Sequence, residues 1–92
     1  MREYALEMTT TEIKPITVNV VDLQEGEALS GATITHTPPS GTPRDMDFTI
    51  EAPYINFLLG PLGVTGQNYV QVQGEGDDGS KPEVLYSILV KI

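Results

Sequence analysis

The stretch Gly66–Ile92, GQNYVQVQGEGDDGSKPEVLYSILVKI, most narrows what this chain can become. Val70 and Val72 alternate with Tyr69, Gln71 and Gln73, and Val84, Tyr86, Ile88, Val90 and Ile92 occupy every second position further on. Side chains alternate sides along a strand, so each row marks a half-buried strand. Between the strands Tyr69–Gln73 and Val84–Ile92 lies GEGDDGSKP, with three glycines and no apolar residue. Asp78-Gly79 supplies the positive-φ chemistry of a hairpin turn. The rest of the chain has to find strand positions around this hairpin.

Upstream, the same period recurs. Ile13–Leu23 places Ile16, Val18 and Val20 on one face, and Pro15, with no N–H to donate, belongs near a strand start or on a sheet edge. Gln24–Glu27 reads as an acidic turn around Gly26. Leu29–Thr37 puts Ala32, Ile34 and His36 on one face and Thr33, Thr35 and Thr37 on the other, a solvated threonine face. The PPSGTP loop (Pro38–Pro43) is stiffened by proline and turned by Gly41. Arg44–Ala52 alternates Met46, Phe48, Ile50 and Ala52 with Asp45, Asp47, Thr49 and Glu51 and reads as one amphipathic strand. Tyr54–Leu59 follows with Ile55, Phe57 and Leu59 on one face, and Gly60, Pro61, Gly63 and Gly66 make a turn region before the hairpin.

No segment carries a capped helical period. The pattern predicts an all-β fold, an antiparallel β-sandwich of about seven strands. The expected core is Val18, Val20, Ala32, Ile34, Phe48, Ile50, Phe57, Leu59, Val70, Val72, Tyr86, Ile88 and Val90. Ninety-two residues make one domain with a core of modest stability.

The chain has no cysteine, hence no disulfide and no zinc–thiolate site. No apolar run spans a bilayer, and MREYALEMTTTEIK lacks a signal-peptide core, so the sequence predicts no membrane partner and a chain used without secretion. A formal net charge of -8 opposes binding to nucleic acid phosphates and favours solubility.

The chemical inventory is thin. His36 is the sole histidine, and Ser30, Ser40, Ser80 and Ser87 stand outside any nucleophile-elbow motif, so His36 reads as a strand-end side chain and the chain as no enzyme. Glu75–Gly79 is the one run resembling a site for a hard cation, but it lacks the spacing and terminal glutamate of an EF-hand loop and reads as a solvated turn. The pairs Asp45/Asp47 and Glu25/Glu27 read as solvated faces. No cofactor or metal is expected.

LSGATITHTPPSG (Leu29–Gly41), GQNYVQVQGEGDDGS (Gly66–Ser80) and YSILVKI (Tyr86–Ile92) carry a resemblance to the small immunoglobulin-like structural domains of tailed bacteriophages, including the fiber–tail adaptor group. The likeness runs from Ile16 through Ile92 and leaves out Met1–Glu12. Tryptophans that some members carry in the middle strands are absent; Phe48, Tyr54 and Phe57 occupy that region. The resemblance implies an immunoglobulin-like sandwich and a non-enzymatic virion part, with no catalytic residue carried over. Tyr69, near the start of the penultimate strand, falls where such sandwiches often place a corner tyrosine; ordinary packing of an amphipathic ring is the competing reading.

The resemblance implies a virion location, with copies of itself and other virion proteins as partners. The position expected is a head–tail adaptor, a tail or a capsid-decorating layer. The alternative is an adhesin-type module using the PPSGTP and GEGDDGS loops on carbohydrate or a cell surface; a hydrolytic accessory enzyme is a weaker third reading. Residues 13–92 form the expected domain and residues 1–12 an arm, in which Tyr4, Leu6 and Met8 alternate before the polar Thr9–Thr11. Such a segment suits either a first strand in the domain's own sheet or a strand added to a neighbour's edge. The second placement makes Tyr4, Leu6 and Met8 partner-binding residues.

Overall fold

The computed structural model describes residues 2–19, 29–51, 54–76, 79 and 81–92. Among these there is no helix. Eight strands appear in chain order: β1 (Arg2–Thr9), β2 (Lys14–Asn19), β3 (Leu29–Thr37), β4 (Arg44–Asp45), β5 (Thr49–Glu51), β6 (Tyr54–Leu59), β7 (Gly66–Gly76) and β8 (Glu83–Lys91). They form a five-stranded sheet of order β1-β8-β7-β3-β4 and a three-stranded sheet of order β2-β6-β5. The expected all-β architecture is therefore present, as two sheets enclosing one apolar cluster.

The closing hairpin is the centre of the larger sheet. β7 and β8 pair antiparallel from Gly66↔Val90 to Gln73↔Glu83, which brings Val70 opposite Tyr86 and Val72 opposite Val84. Gly79 donates its N–H to the Gly76 carbonyl at 3.0 Å, and its φ of 90° is the conformation a glycine adopts without strain. Asp78, the other half of the expected turn dipeptide, lies outside the described residues. β3 joins the other side of β7, with Ile34↔Val72 and His36↔Val70 in register and a bulge between Leu29 and Gly31.

Of the two placements open to the arm, the structure shows the first, a strand in the domain's own sheet, and not the strand lent to a neighbour. Residues 2–9 do not stand apart from the domain. They form β1, which runs parallel to β8 with Tyr4↔Tyr86, Leu6↔Ile88 and Met8↔Val90. The physical reason is that a parallel ladder aligns the arm's apolar row with the apolar row of β8, widening the core face by one strand. Met8 is buried and Leu6 packs against the core cluster. The boundary expected at residues 12 and 13 is thus no boundary in the fold, and the sheet is not wholly antiparallel. Thr9–Thr11 forms part of a tight reversal: Glu12 N–H donates to the Thr9 carbonyl at 3.4 Å while the Glu12 carboxylate accepts from Thr9 N–H at 3.2 Å.

A second correction concerns Arg44–Ala52. The expected single strand is two short ones in different sheets, β4 beside β3 and β5 beside β6. Met46 still donates to the Ile34 carbonyl at 2.9 Å, and then the chain crosses between layers. Met46 and Phe48 are half-buried at the crossing and pack on the core, while Asp45, Asp47, Thr49 and Glu51 stay exposed. Period-two alternation holds on both sides of the crossing, but it says nothing about which sheet a residue joins.

The buried cluster comprises Met8, Val18, Ile34, Ile55, Phe57, Leu59, Leu62, Val70, Val72, Val84, Tyr86, Ile88 and Val90. Most of the expected core is there. Ala32, Phe48 and Ile50 are only half-buried, Ile50 because β5 is a short edge strand; Val20 lies outside the described residues. Met8, Ile55, Leu62 and Val84 complete the core in their place. Ile92 shares the parity of the β8 core row but lies beyond its last ladder pair and is fully exposed. Pro15 sits near the start of β2, an edge strand, as its missing N–H requires.

Candidate functional site

One buried polar constellation exists among the described residues, centred on His36 and Asn68, the only polar or charged residues in the buried class. The Asn68 amide nitrogen donates to the carbonyls of Val64 and Gly66, both at 3.2 Å. Its oxygen is left to accept, and His36 Nε2 stands 2.8 Å away. On the far side of the ring, Arg44 Nε donates to Nδ1 at 3.0 Å. Donors and acceptors fix the state of the ring: Nδ1 accepts, so the proton sits on Nε2.

This relay joins β4, β3, the start of β7 and the loop before it. Among the described residues its members are His36, Asn68, Arg44 and the carbonyls of Val64 and Gly66. His36 is far more enclosed than the strand-end side chain expected of it.

Asn68 also settles the question of Tyr69. Tyr69 points outward and is 41% exposed, while Asn68 is 0% exposed. The corner role expected of Tyr69 belongs to Asn68, which ties the preceding loop to the strand by hydrogen bonds rather than by ring packing. The loop is anchored a second time, where Gly63 N–H donates to the Thr10 carbonyl at 3.1 Å. Gly60, at φ 105°, lets the loop pass the β1–β2 turn; a Cβ there would collide with the Glu12 carbonyl.

The expected partner residues are divided by the fold. Met8 is spent on the chain's own core, and Leu6 is partly buried beside it. Tyr4 is 45% exposed and stacks on Tyr86 with ring centroids 5.4 Å apart. Phe57 meets the same Tyr86 ring edge-on at 6.2 Å. Tyr4 and Leu6 line an open groove of about 430 Å³ between β1 and β2, with Ile16, Val18 and Tyr86. A larger groove of about 630 Å³ lies where the chain crosses from β4 to β5, with Ile16, Met46, Phe48, Phe57 and Leu58 among its walls. β5 pairs only as far as Asn56, so among the described residues one edge of β6 from Phe57 to Leu59 has no strand beside it.

The acidic loop is only partly within the described residues. Glu75 and Gly76 belong to β7, and Asp77, Asp78 and Ser80 lie outside the description. Ser30 Oγ donates to the Glu75 carbonyl at 3.1 Å, next to the bulge. Among the described residues no group of three or more His, Asp or Glu side chains is placed to hold a metal. The reading of Glu75–Gly79 as a solvated turn predicts that millimolar calcium leaves the melting temperature unmoved, because a ligand selective for the folded state must raise it. A calcium-dependent rise of several degrees would assign the loop a cation.

The outer face of the larger sheet differs from the rest of this acidic chain. Its cross-strand rows read Gln71–Leu85–Glu3, Tyr69–Ser87–Ala5 and Gln67–Leu89–Glu7 across β7, β8 and β1. Thr35 and Thr37 extend the first two rows onto β3. The centre of this face carries no charge. Comparison with family models, curated proteins and solved structures finds no match for the chain.

Proposed function

We propose that this chain is a non-enzymatic structural component of a tailed-phage virion, an immunoglobulin-like β-sandwich that works through contacts between subunits. One observation carries the reading. The three tracts that resemble phage immunoglobulin-like domains fall on β3, β7 and β8, adjacent strands of a single sheet. Likeness confined to turn chemistry would scatter over both sheets. Strand order supports the fold: β2-β6-β5 follows the B-E-D order of such sandwiches, and β3-β7-β8 follows C-F-G. β4 stands beside β3 as the added strand of variable-type domains does.

The mechanism in this reading is assembly, in a head–tail adaptor, tail or capsid-decorating position. The acidic surface keeps free copies apart, and short-range contacts on uncharged faces bring docked copies together. Quantitative mass spectrometry and electron microscopy of purified particles test it. The expected result is a fixed copy number at one structural position. Absence from particles, together with binding of the purified protein to cell-surface glycans, would instead establish the adhesin reading.

A further inference from the structure

We infer that the outer face of the five-stranded sheet is a self-complementary surface on which a second copy of this chain docks face to face. The argument starts from one row. Tyr69 is exposed on β7, and its cross-strand neighbour on β8 is Ser87, which is paired in turn with Ala5 on β1. Two small residues side by side leave a hollow of about 400 Å³, walled by Glu7, Gln67 and Leu89. A knob therefore stands beside a hole in the same row.

A two-fold axis lying over β8 and parallel to it exchanges β7 of one copy with β1 of the other. Two-fold symmetry demands that residue i meet j and j meet i. Tyr69 then enters the Ala5–Ser87 hollow of the second copy, and the reverse contact forms at the same time. The flanking rows pass the same test. Gln71 comes opposite Glu3, and Gln67 opposite Glu7, so each amide N–H₂ meets a carboxylate. Leu85 and Leu89 each meet their own counterpart.

The knob beside the hole in one row argues for a second copy over other occupants, and charge permits it. A chain of net charge -8 repels itself over most of its surface, whereas here the acids at the β1 margin face neutral donors. Two positions on the axis oppose the arrangement, Glu83 and Lys91, since each would meet its own counterpart. Both are already engaged: Gln73 Nε2 donates to Glu83 at 2.7 Å, and Lys91 lies 3.3 Å from Glu7. They also sit at opposite ends of β8, where packed twisted sheets splay apart at roughly 30°.

Three strands by about six residues give a footprint of roughly 15 by 20 Å. That is about 300 Å² a side, well under the roughly 800 Å² a side of a standard interface, so the contact is a weak, transient one that fills only at high protein concentration.

This inference shares with the assembly reading the idea that copies meet, but it is tested on the isolated protein, so the two fail separately. Sedimentation velocity from about 1 µM to several millimolar should raise the weight-average mass from the monomer's 10.0 kDa towards twice that value. Ser87→Arg fills the hollow from outside the core and should leave a monomer over that range with unchanged thermal melting. Gln71→Glu sets carboxylate against carboxylate and should weaken the dimer about tenfold or more, and adding Glu3→Gln should restore it. A wild-type chain that stays monomeric throughout overturns the inference, as does a dimer indifferent to Ser87→Arg. A double variant as weak as Gln71→Glu overturns the register. A monomer that binds neutral polysaccharide through Tyr69 would give this face to a glycan instead.

Discussion

A chain lacking residues 1–12 should lose its stable fold, even though the sequence read alone made those residues an arm. The deletion removes the whole β1 ladder along β8 and uncovers the row Tyr86, Ile88 and Val90. Met8 is 3% exposed, and full burial of such a side chain is worth about 1.5–3 kcal/mol. The Leu6 packing, the Tyr4–Tyr86 stack and the turn that anchors Gly63 are lost with it. A domain of this size has only about 5–14 kcal/mol in total, so the loss approaches the whole. Circular dichroism during heating should show the truncated chain without a cooperative melt above room temperature. Met8→Ala alone should cost about 2–5 kcal/mol, each kcal/mol worth roughly 4–8 °C in Tm. If the truncated chain melts like the full one, β1 is dispensable to the fold, and a strand lent to a neighbour becomes the better account of Tyr4, Leu6 and Met8.

Why β1 was hard to place shows where sequence reading stops. The alternation of Tyr4, Leu6 and Met8 identifies a strand but not its partner, because a parallel pair far apart in sequence leaves no turn between its members. β1 pairs with the last strand of the chain, across the longest separation the fold contains. Hairpin-linked strands are different. β7 and β8 are joined by a glycine-rich turn, so pairing and register follow from local chemistry. β3 and β6 fall on the expected bounds because proline and glycine punctuate both ends of each run. The sheet crossing at Met46–Phe48 and the short β5 escape for the opposite reason: alternation continues unbroken through them. The self-complementary face was also invisible, since Ala5, Ser87 and Tyr69 become one row only once β1 and β7 flank β8. Asn68 had a weaker signal. As a polar residue two positions before Val70, it shares the parity of the core row, and a polar side chain at a core position calls for partners.

Asn68→Asp should be among the most damaging single substitutions the chain can take. The two side chains are nearly the same shape, so packing is preserved and the change is chemical. Asparagine uses both N–H donors, to the Val64 and Gly66 carbonyls, and its oxygen accepts from His36. An aspartate in the same place keeps the bond from His36 on one oxygen but turns its other, acceptor-only oxygen toward two carbonyls, with no exposed surface for water to relieve them. Breaking a buried polar network and stranding its members costs about 3–5 kcal/mol, enough to lower Tm by roughly 12 °C or more. Asn68→Ala separates the parts of that cost. It removes the repulsion but leaves His36 Nε2–H and two carbonyls unpaired, and it should fall by about 2–4 kcal/mol. The loop at Val64–Gly66 should open first, so its amides should exchange hydrogen faster in both variants, with β7–β8 amides following only as global stability falls. Thermal melts and exchange rates that match the wild type would mean that Asn68 is spectator to the loop, and that ring packing elsewhere holds the corner.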